Sequence, residues 1–113
     1  YSAKYLENGS ELIVPARITP EQAGEVRSMS LTAFKTLDCA GMARVDFFVR
    51  RSDGLVLVNE LNTIPGFTPI SMYPRLWEAS GVGFGALVER LIELARERHE
   101  EKLKLKREYA PER

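Results

Sequence analysis

Arg44 and Asp46 lie two residues apart in the run Ala43-Arg-Val-Asp-Phe-Phe-Val-Arg50, and Glu60 and Asn62 lie two apart in Leu55-Val-Leu-Val-Asn-Glu-Leu-Asn62. Side chains alternate along a strand, so each polar pair shares one face of its strand. Ser52-Asp53-Gly54 between the runs is a turn signal, and the two runs read as an antiparallel hairpin. With those three residues as the loop, Asp46 faces Glu60 and Arg44 faces Asn62, and the four polar groups converge. Two opposed carboxylates repel by up to about 1 kcal/mol when exposed, which calls for a cation between them. Hard oxygen donors of this kind suit Mg²⁺ or Mn²⁺, with water and phosphate completing the shell. Arg44 adds a planar, permanently charged fork for a phosphate or a developing oxyanion. Two other readings stand beside this one. The four residues can be the solvated face of an amphipathic hairpin, with Arg44 neutralising a carboxylate, and a two-residue loop would put Asp46 and Glu60 on opposite faces.

Asn62-Thr-Ile-Pro-Gly66 follows directly. A glycine beside proline at a strand end allows close backbone approach and presents an N–H to an anion, and it is equally the signature of a plain tight turn. Ser71 adds a hydroxyl donor a few residues on.

The elements that must position these groups are legible as patterns. Thr19 as N-cap, Pro20 at the first helical position and Gln22 at the capping-box position predict a helix. Its apolar face is Ala23, Val26, Ser30, Ala33, Phe34 and Leu37, and its end falls between Asp38 and Gly41. Ala43, Val45, Phe47 and Val49 are the expected buried face of the first strand. A short helical segment is expected over residues 74–79, then a second long helix on the stripe Phe84, Leu87, Val88, Leu91, Ile92 and Ala95. Before the first helix, residues 1–18 read as an irregular opening with a short extended run that stops before Pro15. Cys39 reads as a small packing residue, His99 as solvent-exposed, and Trp77 and Phe84 as packing anchors.

Across 113 residues, 16 Lys and Arg balance 16 Asp and Glu, and 44% of the chain is hydrophobic. That is the composition of one ordinary globular domain, or of one lobe of something larger. Zero net charge argues against non-specific binding to nucleic acid or to an anionic membrane. A single cysteine excludes a disulfide framework within the chain and fits a reducing compartment. No apolar run is long enough to span a bilayer, and the start at Tyr1 suggests a processed, truncated or excerpted polypeptide.

The ordered set Gly41-Met-Ala-Arg-Val-Asp46, Val58-Asn-Glu-Leu-Asn-Thr-Ile-Pro-Gly-Phe-Thr68, Ser71-Met-Tyr-Pro-Arg-Leu-Trp77 and Gly81 resembles the C-terminal portion of the D-alanine–D-alanine ligases, members of the ATP-grasp superfamily. The resemblance runs from Tyr1 to about His99, and Ser2-Ala-Lys-Tyr5 resembles the family's mobile loop. It implies an α+β fold: the C-terminal part of an ATP-grasp domain, with the hairpin in a larger sheet and two long helices packed on one face. Residues 1–10 would be the mobile loop, 43–62 the metal hairpin and 63–73 the substrate loop, while 100–113 run past the family's usual end as a charged extension, read as a solvated helix or a flexible terminus, with a partner-binding helix as the alternative.

The implied activity is ATP-dependent joining of two D-alanines through an acyl phosphate, for peptidoglycan synthesis in the cytoplasm, by an enzyme that is a homodimer when complete. Two Mg²⁺ (or Mn²⁺) ions would be held by Asp46, Glu60 and Asn62, with Glu60 bridging them and so serving the nucleotide as well. Arg44 and the Gly66 N–H would stabilise the transferred phosphoryl group and the tetrahedral oxyanion. Ser71 and the Met72 backbone would hold the second D-alanine's carboxylate, Lys4 would approach the ATP phosphates, and Tyr5 would line the second substrate's subsite and favour an amine nucleophile over D-lactate. The family's N-terminal domain and most of its nucleotide-gripping central domain have no counterpart here, so this chain alone is expected to be inactive. A non-catalytic binding module, or another ATP-dependent carboxylate ligase such as a D-alanine–D-lactate ligase, are the alternatives.

Overall fold

The computed structural model describes residues 12–105. Pro20–Thr36 form helix α1, Arg44–Val49 and Val56–Asn62 form strands β1 and β2, and Met72–Ala79 and Phe84–Lys104 form helices α2 and α3. Among the described residues, three helices and a two-stranded antiparallel sheet give an α+β arrangement.

The expected start of α1 is realised in full. Thr19 Oγ1 accepts from the Gln22 N–H at 3.2 Å, and Gln22 Oε1 accepts from the Thr19 N–H at 3.0 Å. These reciprocal bonds satisfy donors that a helix start otherwise leaves open. Gln22 does a second job, because its Nε2 donates to the Gly54 carbonyl at 2.9 Å and so ties the start of α1 to the hairpin turn. The helix ends at Thr36, slightly before the expected limit; Asp38 follows at φ 49° and Gly41 at φ 76°, a reversal into β1. The extended run expected before Pro15 forms no strand among the described residues.

The hairpin corrects one expectation. Its closing end pairs Val49 with Val56 and Phe48 with Leu57, and the Arg50 N–H donates to the Leu55 carbonyl at 2.8 Å. The turn inside that pair is therefore Arg51–Gly54, four residues rather than three. Arg50 Nε donates to Asp53 Oδ1 at 2.8 Å, its Nη2 donates to Oδ2, and Gly54 sits at φ 74°. Continued unbroken, this register would set Asp46 opposite Asn59 and turn Glu60 to the other face. A β-bulge intervenes: Phe47 pairs with Val58, but Asp46 pairs with Glu60 and Arg44 with Asn62, leaving Asn59 as the extra residue. The pairing expected at the site is thus correct, while the loop length offered for it is not.

The bulge also sorts the faces. By the pairing, Val45, Phe47, Val49, Val56, Val58 and Leu61 share one side, and Arg44, Asp46, Glu60 and Asn62 share the other. The apolar side is only partly covered. Val56 is buried, whereas Val49 and Val58 stay exposed, so the clean buried face expected for β1 is not reached within this chain.

α1 rests on β2 and α2 on α3, so the two long helices do not share one main partner as expected. Phe67, in the loop after β2, lies 5.2 Å from the Phe84 ring and 5.9 Å from the Tyr73 ring, and Tyr73 meets Trp77 edge-on at 6.4 Å. Trp77 and Phe84, expected as packing anchors, make these ring contacts but stay 41% and 40% exposed. This aromatic chain ties the loop to α2 and α3, and Leu87 on α3 is buried. Ile92 of the expected stripe faces solvent. α3 runs on to Lys104 through the charged segment, where Arg90 bonds Glu93 at 3.1 Å and Glu97 at 3.2 Å, and His99 is exposed as expected. Cys39 is half-buried. No helix among the described residues is long and apolar enough to cross a membrane.

Candidate active site

The polar face of the hairpin holds its charges in a defined order. Arg44 Nε donates to Asp46 Oδ1 at 2.8 Å and Nη2 donates to Oδ2 at 2.9 Å, a bidentate pair between residues on the same strand face. The same Nη2 lies 3.8 Å from Glu60 Oε1 across the sheet. The side chains are 22% exposed at Arg44, 33% at Asp46 and 59% at Glu60, so the guanidinium is the most sheltered of the three. Arg44 thus pairs with Asp46 and reaches toward Glu60, which is compatible with its neutralising a carboxylate and with its standing at the edge of a metal site.

The trio still carries one negative charge in excess. Each carboxylate oxygen bonded to Arg44 keeps a further lone pair, and Glu60 opens to solvent. Asn62 Oδ1 accepts from the Ile64 N–H at 3.0 Å, a turn that launches the following loop and leaves that oxygen one more acceptor site. Two carboxylates and a carboxamide oxygen on paired strands are an all-oxygen set, which fits a hard divalent ion that retains water and phosphate ligands. Among the described residues no group of three or more His, Cys, Asp and Glu gathers, so such an ion would depend on ligands from outside this set.

The loop beyond Asn62 brings two further expected residues together. Pro65 is buried. At Gly66 an added β-carbon would stand 3.1 Å from Ser71 Oγ and 3.6 Å from Ser71 Cβ, so the bare Cα is what lets the two segments approach. Ser71 is only 7% exposed. It is the N-cap of α2 without making a side-chain cap bond, so its hydroxyl is used elsewhere: it accepts from the Thr68 N–H at 3.1 Å and lies 2.8 Å from Thr68 Oγ1. Met72 follows as the first residue of α2, where backbone N–H groups lack helical acceptors. Lys4 and Tyr5 lie outside the described residues.

A cleft of about 560 Å³ opens between α1, the start of β1 and α2, with Arg27, Phe34, Arg44, Tyr73 and Trp77 on its walls. Arg44 is common to this cleft and to the carboxylate pair. Three features were not anticipated from sequence: the Asn59 bulge, the link from Gln22 to the turn, and Thr68. Thr68 could have been found from its spacing, since a hydroxyl residue three positions before Ser71 suits a side-chain turn.

With this geometry in view, residues 1–93 match the family model described as D-ala D-ala ligase C-terminus. The chain belongs to that family. It is 57% identical over 102 residues to the D-alanine–D-alanine ligase of Geobacillus thermodenitrificans, covering 90% of this chain and 28% of that protein. To D-alanine–D-alanine ligase A of Escherichia coli it is 54% identical over 100 residues, covering 88% of this chain and 27% of that one. Among solved structures, the ligase from Coxiella burnetii matches with a TM-score of 0.76 at 47% identity, over 81% of this chain and 28% of that chain. The Bacillus anthracis ligase complexed with ATP matches with a TM-score of 0.71 at 34% identity, over 76% and 30%. The chain thus spans less than a third of the length of these relatives, and within the D-Ala-D-Ala ligase family it corresponds to the C-terminal portion.

Proposed function

We propose that this chain carries the metal-binding and second-substrate side of an ATP-dependent ligase that joins two D-alanines for peptidoglycan synthesis, in a cytoplasmic enzyme that is homodimeric when complete. The observation that supports it best is the gathering of Arg44, Asp46, Glu60 and Asn62 on one hairpin face. The closeness of Gly66 to Ser71, such that an added β-carbon would stand 3.1 Å from Ser71 Oγ, adds to it.

In this reading ATP phosphorylates the carboxylate of the first D-alanine, releasing ADP. The amine of the second attacks the acyl carbon, loses a proton, and phosphate leaves as the tetrahedral intermediate collapses. Asp46, Glu60 and Asn62 would hold the divalent ions, which when bound neutralise phosphate charge. Arg44 would keep its permanent charge at the edge of that cluster, where negative charge develops on the phosphoryl group and then on the oxyanion, together with the Gly66 N–H. A charge already in place needs no reorganisation at the moment of reaction. Ser71 and the Met72 N–H would fix the carboxylate of the second D-alanine, and positioning of this kind is a large part of catalysis in a two-substrate ligation. Lys4 would meet the ATP phosphates, and Tyr5 would favour an amine over a hydroxyl nucleophile.

The test uses the full-length protein bearing this segment. Phosphate release on adding ATP, Mg²⁺ and D-alanine, and much less with D-lactate or L-alanine, is the expected result. Glu60→Gln should abolish it. Retained turnover in that variant would overturn the metal assignment, and no D-alanine-dependent phosphate release from the wild type would favour a binding module instead.

A further inference from the structure

Thr68 is engaged with Ser71 through more bonds than the loop needs for its shape. The Ser71 N–H donates to the Thr68 carbonyl at 2.9 Å, which already closes the turn. In addition, both the N–H and the hydroxyl of Thr68 meet the same atom, Ser71 Oγ, at 3.1 and 2.8 Å. A serine hydroxyl has two acceptor lone pairs and one proton. The Thr68 N–H takes one lone pair. If the Thr68 hydroxyl donates to the other, both are filled and the Ser71 proton must point away from Thr68. If Ser71 donates to Thr68 instead, Ser71 has no proton left for a ligand.

A carboxylate can only accept, so it selects the first arrangement. We infer that Thr68 is a positioning residue that turns Ser71 into a dedicated donor, aligning two hydroxyls in the order Thr68, Ser71, substrate carboxylate. Donors in series polarise one another, so the terminal proton binds an anion more strongly than a lone serine would. Ser71 is buried, and a β-carbon at residue 66 would stand 3.1 Å from its Oγ, so glycine there keeps that side of the hydroxyl uncrowded. Phe67, the residue between Gly66 and Thr68, is held between Tyr73 and Phe84, which fixes where Thr68 stands.

This inference rests on Ser71 binding the second substrate's carboxylate, and the experiment separates the two claims. In the full-length ligase, Thr68→Val removes the hydroxyl while keeping the N–H and the β-branched shape. The expected result is a rise of roughly 5- to 30-fold in KM for the second D-alanine, with kcat and the KM for ATP within about twofold of wild type, and recovery of the low KM in Thr68→Ser. In the Ser71→Ala background, adding Thr68→Val should have no further effect, because Thr68 acts through the Ser71 hydroxyl. Wild-type KM in Thr68→Val, or an equal additional loss in the double variant, would overturn the inference. An unchanged KM in Ser71→Ala alone would instead overturn the underlying assignment of Ser71.

Discussion

Arg44 occupies both oxygens of Asp46 and leans toward Glu60, so it competes with any divalent cation for the carboxylates that would bind it. Replacing it with glutamine takes the trio from one excess negative charge to two and frees both Asp46 oxygens. Hydrogen bonds to charged groups contribute about 1.5–3 kcal/mol, and exposed ion pairs no more than about 1. With Arg44 22% and Asp46 33% exposed, a value near 1–2 kcal/mol follows, which corresponds to a factor of roughly 5–30. Arg44→Gln should therefore bind Mn²⁺ that much more tightly without nucleotide, as read by the loss of free-ion signal in an electron paramagnetic resonance titration. The same variant should lose roughly 100-fold or more in phosphate release, the scale seen when a donor to a developing oxyanion is removed. Tighter metal binding with weaker turnover is an unusual pairing of signs, and general damage to the fold would not produce it. Mn²⁺ affinity that falls or stays level in Arg44→Gln would refute the reasoning, provided that Glu60→Gln lowers it in the same assay.

Gly66→Ala should raise the KM for the second D-alanine by roughly tenfold or more, since overpacking costs about 1–3 kcal/mol and the neighbour it meets, the Ser71 hydroxyl, is pinned by Thr68; steady-state kinetics would register this. Gln22→Ala removes both the capping bond to Thr19 and the bond to the Gly54 carbonyl, and should cost about 1–2 kcal/mol in urea unfolding, with faster amide exchange in the hairpin turn. The Arg50 guanidinium, and after it the Leu55 N–H, hold the Asp53 carboxyl below its ordinary range. A carboxyl depressed in the folded state stabilises the turn above the unfolded value near 3.9 and loses that contribution as pH falls through the lower folded value. An NMR titration should therefore place the Asp53 midpoint below 3.9, and Arg50→Gln should move it back up.

The chemistry was more legible in the sequence than the packing was. Arg44, Asp46, Glu60 and Asn62 could be set on one face because period-two alternation is a local property of strands. The start of α1 was equally local, written in Thr19, Pro20 and Gln22. The bulge was legible only as a change of phase: Val56 and Val58 occupy even positions and Leu61 an odd one, yet all three share a face. The turn alone gave no warning, because Ser52-Asp53-Gly54 suits a loop of three residues or of four. Contacts that depend on distant partners were beyond local pattern. The link from Gln22 to Gly54 spans 32 positions, and Phe67 joins α2 and α3 only once the loop has folded back. The limited cover over Val49 and Val58 depends on what lies against them, which no pattern within the strand records.

The bulge at Asn59 has a consequence for how this hairpin tolerates changes of length. Remove Asn59, and Val58 and Glu60 become neighbours that pair with Phe47 and Asp46 in an unbroken ladder, so the carboxylates still meet across the sheet. Remove one residue from the four-residue turn instead, and either the turn closes on three residues with the pairing unchanged, or the strands slip by one into an unbroken ladder that still sets Asp46 opposite Glu60 but turns Val56 and Val58 to the polar side. Single-residue gaps in this hairpin are therefore not equivalent: losing Asn59 leaves both faces as they are, while a slip after a loss in the turn keeps the carboxylates opposed and takes Val56 and Val58 off the apolar side.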